Sequence, residues 1–181
     1  MCGYKTLTDM IVSRGSEDKK GITFILSDTE ECFVSYKNLY LSALNLLHRL
    51  QSAGFKPKDE VIFQIDDNQK FILTFWACIL GGMIPVPVTT GTNDEHKLKL
   101  FKIWEVLNNP RIIISQEFIG KLEAYAHKNG LSEKMEVIKK RAEFIYDKLD
   151  MECYGKIHET QPDDIAFIQF SSGSTGTRKE L

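Results

Sequence analysis

The residues best suited to chemistry are the last eleven, Ser171-Ser172-Gly173-Ser174-Thr175-Gly176-Thr177-Arg178-Lys179-Glu180-Leu181. Gly173 and Gly176 permit positive backbone angles and close approach, so amide hydrogens can converge on a phosphate, while the hydroxyls add donors and Lys179 adds a positive charge. A flexible Ser/Gly tail would have a similar composition. It would have no reason to follow an apolar run, Ile165 to Phe170, expected as a strand, or to end in a lysine. A Walker loop is excluded by spacing: the position that should be its second glycine is Arg178, and Lys179 is followed by Glu180 rather than Ser or Thr. The candidate cofactor-binding residues are therefore Ser171, Ser172, Gly173, Ser174, Thr175, Gly176 and Lys179, with a polyphosphate as the guest.

No other constellation competes with this loop. Cys2, Cys32, Cys78 and Cys153 are too widely spread for a zinc or redox pair, and His48, His96, His127 and His158 are isolated among polar neighbours. The cysteines are expected as structural thiols and the histidines on solvated faces. Neither a catalytic residue nor a metal ligand is assigned to this chain.

The elements that must position the loop are legible from Gly54 onward, where short apolar strands alternate with helical patterns as in consecutive units on a parallel sheet. Strands are expected at Val61 to Ile65, Met83 to Val88, Arg111 to Ser115, Met135 to Ile138 and Ile165 to Phe170. A helix is expected from Tyr36 to Ala53, with Leu39, Ala43, Leu46, Leu47 and Leu50 on one face, Ser35 as its cap and Gly54 as its stop. Further helices are expected over Phe71 to Leu80, Glu95 to Leu107 and Gln116 to Asn129, with Phe101 and Trp104 packing into the core. Ile22 to Leu26 and Cys32 to Tyr36 flank a polar turn and predict a hairpin. Asp147 to Asp164 reads as a surface connection.

With 181 residues, 23 Lys+Arg against 25 Asp+Glu and a formal charge of −2, the chain lacks the basic excess that captures nucleic acid. The length allows one domain with a sizeable core, or a piece of something larger. Phe71 to Val88 is 18 residues without a charge, long enough for a membrane span, but Gly81-Gly82 and Pro85-Val86-Pro87 divide it into helix, turn and strand. No transmembrane segment is expected. The N-terminus shows no secretory signal pattern, so a cytoplasmic location is expected.

Ser171 to Lys179 resembles the phosphate loop of the adenylate-forming enzymes (acyl-CoA synthetases, luciferases and the adenylation domains of nonribosomal peptide synthetases), approximately Thr-Ser-Gly-Ser/Thr-Thr-Gly-x-Pro-Lys-Gly. Upstream, Val34-Ser35-Tyr36-Lys37-Asn38-Leu39 is similar to the family's Thr/Ser-Tyr-x-x-Leu helix start, and Pro57 to Val61 to its Gly-Asp-x-Val strand entry. Phe75 to Val86 is similar to its Ala-Gly-x-x-x-Val-Pro segment. The likeness covers nearly the whole chain, and Lys99 to Pro110 inclines it towards peptide synthetases.

The resemblance implies an α/β fold with a parallel-dominated sheet and flanking helices, residues 1–181 forming a single truncated domain that ends at the phosphate loop. It implies ATP with Mg2+, a carboxylic or amino acid substrate, and CoA or a carrier protein as acceptor. The implied reaction is attack of the carboxylate on the α-phosphorus of ATP, then transfer of the acyl group to a thiol. The family's Mg-linked Glu, ribose-binding Asp, most acyl-pocket residues and late catalytic Lys belong to segments beyond this length, so the isolated chain is expected to be inactive. Arg178 stands where proline is usual and Glu180 where glycine is usual. Those departures keep open a second expectation, a non-catalytic module of the same fold that binds a nucleotide or a partner.

Overall fold

The computed structural model describes residues 3–89, 91, 93–144 and 153–170. By internal contacts the chain divides into two compact units, one built from residues 1–58, 66–84 and 147–166 and the other from 59–65, 85–146 and 167–181.

The first unit begins with helix α1 (Leu7–Arg14), which the sequence reading did not anticipate. Its signal is local: the Thr6 side chain accepts from the Asp9 N–H, and the Asp9 carboxylate accepts from the Thr6 N–H at 3.1 Å, a reciprocal capping box. Strands β1 (Gly21–Ile25) and β2 (Glu31–Ser35) form the expected antiparallel hairpin, shifted by one residue. Tyr36 already belongs to helix α2 (Tyr36–Ser52), capped by Ser35. Its apolar face, including Leu39, Ala43, Leu46, Leu47 and Leu50, is buried. Helix α3 (Asn68–Leu80) packs against α2, and α1 rests on both.

The glycine turn that splits the apolar run 71–88 is a Schellman stop. Gly82 has φ 66°, its N–H donates to Ile79 O at 3.1 Å, and the Met83 N–H donates to Cys78 O at 3.0 Å. Among the described residues no helix is long and apolar enough to cross a membrane.

The second unit carries a four-stranded sheet in the order β4 (Ile84–Pro87), β3 (Glu60–Phe63), β5 (Pro110–Ile114), β6 (Ala142–Phe144). The β3–β5 and β5–β6 pairs are parallel, with Ile62 opposite Ile112 and Ile113 opposite Glu143. Helices α4 (Asp94–Val106), α5 (Gln116–Lys128) and α6 (Ser132–Lys140) supply the core beside it. Leu100, Phe101, Ile103, Leu122, Ala126, Met135 and Ile138 cluster with Ile62, Val86, Ile112 and Ile114. This is the expected parallel-dominated α/β arrangement.

Two expected strands are corrected. Met135 to Ile138 lies inside helix α6: Met135 and Ile138 are buried three residues apart, while Glu133, Lys134, Glu136, Lys139 and Lys140 stay exposed, which is a helical stripe and not an alternation. The strand follows, as β6. Ile165 to Phe170 is extended without joining the sheet ladder. Its alternate residues Ala166, Ile168 and Phe170 are half-buried while Ile165, Phe167 and Gln169 are exposed. The Ile168 N–H donates to Pro85 O at 3.0 Å. Pro85 and Pro87 have no N–H to return along that side of β4, and this limits a ladder there.

Candidate functional site

The residues singled out for phosphate binding, Ser171, Ser172, Gly173, Ser174, Thr175, Gly176 and Lys179, lie outside the described residues. What is described is the approach to them. Residues 153–160 contain no regular secondary structure, yet several of their backbone polar groups are paired by helices of the same unit. Asn45 Nδ2 donates to Cys153 O at 3.0 Å and the Gly155 N–H to Leu44 O at 2.8 Å. The Gln51 amide acts like a ladder partner: its Nε2 donates to Lys156 O at 2.8 Å and its Oε1 accepts the Lys156 N–H at 2.9 Å. The His158 N–H donates to Leu80 O at 2.8 Å. The expected surface connection is therefore a strap fixed to α2 and α3 over its described part, and His158 leaves its expected solvated face, since a Cβ on Gly82 would fall 2.2 Å from its ring.

Beyond the strap the chain is held twice more. Thr160 Oγ1 lies 3.1 Å from Thr8 Oγ1, and the Thr8 hydroxyl also donates to Ile79 O at 3.3 Å. Gln161 to Asp164 then turns: the Asp164 N–H donates to Gln161 O at 3.0 Å, and Asp164 Oδ2 accepts the Gln161 N–H at 2.8 Å. Pro162 occupies the second position of this turn, where its fixed φ is favourable. A cavity of about 550 Å³ adjoins the turn, between the start of α1, Gly82 to Ile84 and His158 to Ala166. Leu7, Ile79, Met83 and Ile84 give it apolar walls, and Lys5 and Lys58 are matched by Asp163 and Asp164, so it carries no charge preference.

The buried carboxylates of the second unit are committed to structure. Glu60 Oε2 accepts the Asn108 and Asn109 N–H groups at 2.6 and 2.8 Å, and Asn109 is joined by its side chain to Asp59 and, at 2.6 Å, to Arg141 Nη2. This network closes the amino ends of β3, β5 and β6. Burial lowers the Arg111 pKa, an effect opposed by the nearby Asp59 charge. Cys78 is fully buried, and burial pushes its thiol well up, which disfavours the reactive thiolate. Among the described residues no group of three or more His, Cys, Asp or Glu could hold a metal ion.

Comparison with known proteins gives this scaffold a family. The family described as AMP-binding enzyme matches residues 13–180. The chain belongs to that family. The solved structure of McyG A-PCP complexed with phenylalanyl-adenylate is 32% identical, with a TM-score of 0.79 over 97% of this chain and 32% of that one. Among curated proteins, the Homeostatic regulator of DAG from Saccharomyces cerevisiae is 24% identical over 163 residues, 84% of this chain and 10% of its own length. A putative acyl-CoA synthetase from Caulobacter vibrioides is 26% identical over 146 residues, 78% of this chain and 24% of its own. The chain thus spans a third or less of each of these proteins.

Proposed function

We propose that residues 1–181 are the N-terminal part of a longer ATP-dependent ligase that activates a carboxylate as its acyl-adenylate and passes the acyl group to a thiol. The observation that carries this reading is the AMP-binding family match, which runs through the glycine- and hydroxyl-rich stretch to residue 180. In this reading Ser171 to Gly176 offer amides and hydroxyls to the β- and γ-phosphates of ATP, and Lys179 offsets charge on the departing pyrophosphate. The carboxylate oxygen forms a bond to the α-phosphorus as the bond to pyrophosphate breaks. A thiol then displaces AMP from the acyl group and loses its proton. The acceptor is CoA or the phosphopantetheine of a carrier protein, and the likeness to McyG A-PCP complexed with phenylalanyl-adenylate favours an amino or carboxylic acid substrate. Magnesium would enter with the ATP and offset part of the phosphate charge when bound.

The complete protein is expected to catalyse carboxylate-dependent exchange of pyrophosphate into ATP, and the 181-residue chain alone is not. Exchange by the isolated chain would contradict the proposed division of the site. A non-catalytic nucleotide-binding role remains as a second reading, favoured by Arg178 and Glu180 in place of the usual proline and glycine. ATP binding without exchange by the complete protein would select it.

A further inference from the structure

We propose that the cavity of the first unit is a binding site for a dipeptide-sized zwitterion with an apolar body, and that Lys58 determines its specificity. Every residue lining the cavity belongs to that unit. The signal is a backbone conflict at Lys58. Among the described residues it alone combines a side chain with a left-handed backbone, φ 70°. A Cβ strains that conformation and glycine would not. In the Gly-Asp-x-Val pattern that residues 58–61 resemble, glycine holds this place. The Lys58 N–H donates to Gly82 O at 2.7 Å, and Gly82 is itself left-handed, so the two residues form one corner of the cavity wall. Local conflicts of this kind gather where a side chain is kept for its chemistry. What the lysine adds over glycine is an exposed ammonium group at the cavity.

The ligand class follows from the other lining groups. Lys5 and Lys58 bring two cations, Asp163 and Asp164 two carboxylates, and among the described residues neither lysine is ion-paired to either aspartate. Asp164 already accepts the Gln161 N–H, so Asp163 is the less committed carboxylate. Charges of both signs held apart around one cavity complement a ligand with an anionic end, a cationic end and no net charge. Leu7, Met10, Ile79, Met83 and Ile84 give it apolar surface, and the two methionines can adapt to a ligand's shape. The volume of about 550 Å³ falls within the range of small-ligand sites and leaves room for two apolar side chains. A dipeptide would set its carboxylate at Lys58 and its ammonium at Asp163, with the Gln161 side-chain amide available to the peptide group.

The inference is independent of the nucleotide reading, and its test needs no ATP. Calorimetric titration of the complete protein uses leucyl-phenylalanine as the probe, beside its N-acetyl form, its C-terminal amide and glycyl-glycine. Saturable binding of leucyl-phenylalanine is expected, weakened about fivefold or more by loss of either charge or of the apolar side chains. Lys58→Gly should weaken the same binding to a similar degree without lowering the melting temperature, because glycine suits the left-handed backbone. Lys58→Arg, which keeps a cation, should return most of the loss. Asp163→Asn, at an exposed position, should weaken leucyl-phenylalanine but not its N-acetyl form. No binding by the unaltered protein would overturn the site. Equal binding by the unaltered protein, Lys58→Gly and Asp163→Asn would place the dipeptide elsewhere and overturn it too, and glycyl-glycine binding as well as leucyl-phenylalanine would overturn the ligand class.

Discussion

Lys179 and Glu60 are two charged residues for which different uses are expected in one chain. Lys179 follows a polar glycine stretch, so its charge is expected to act on a bound phosphate and not on the core. In the complete protein Lys179→Ala should reduce pyrophosphate exchange by the equivalent of about 2–4 kcal/mol of transition-state stabilisation, with an unchanged melting temperature. Gly176→Val should lower ATP binding as well, since a side chain there obstructs both backbone angle and phosphate approach. Glu60 is the reverse case: it is 6% exposed and accepts two backbone N–H groups at the entry to β5. Glu60→Ala strands both donors and should cost about 1–3 kcal/mol in urea unfolding, whereas Glu60→Gln, which keeps an acceptor, should cost less. Cys78, fully buried with its thiol held protonated by desolvation, should resist thiol reagents in the native protein and react only on unfolding.

Elements were legible wherever the local pattern had one physical reading. The α2 stripe, its Ser35 cap and the alternation of strands with α3, α4 and α5 follow from periodicity, and the structure matches them to within three residues at the ends. Leu47, fully buried on α2, should cost about 2–5 kcal/mol when cut to Ala, seen as a lower denaturation midpoint with an unchanged slope. Misreadings fell where a short apolar run admitted two readings. Met135-Glu136-Val137-Ile138 is short, largely apolar and branched like a strand, but the buried pair is three apart and the lysines around it complete a helix. Ile165 to Phe170 has strand composition, yet its neighbour β4 carries two prolines. The short helix α1 has a weak apolar face and announces itself only through the Thr6–Asp9 box. Thr6→Ala should therefore loosen α1 by about 1 kcal/mol, detectable as faster amide exchange in its first turn.

At the scale of the whole molecule the fold class was readable because hydrophobic spacing is recorded in every element, whereas the proposed site rests on one terminal stretch, and the approach to it on groups brought from afar. The strap's pairing by Asn45 and Gln51 joins residues more than a hundred positions apart, and no local pattern foretells it. The same holds for Thr8 and Thr160, ordinary hydroxyls until the fold places them together. The chain matches about a third of an adenylate-bound structure; in the proposed reading the ligase is divided along its sequence, with phosphate contacts here and the remaining contacts elsewhere. Carboxylate-dependent pyrophosphate exchange, measured side by side on the complete protein, its Lys179→Ala variant and the 181-residue chain, tests this directly. The account predicts robust exchange by the first, a strongly reduced rate for the second and none for the third; equal exchange by the first two, with the same melting temperature, would contradict it.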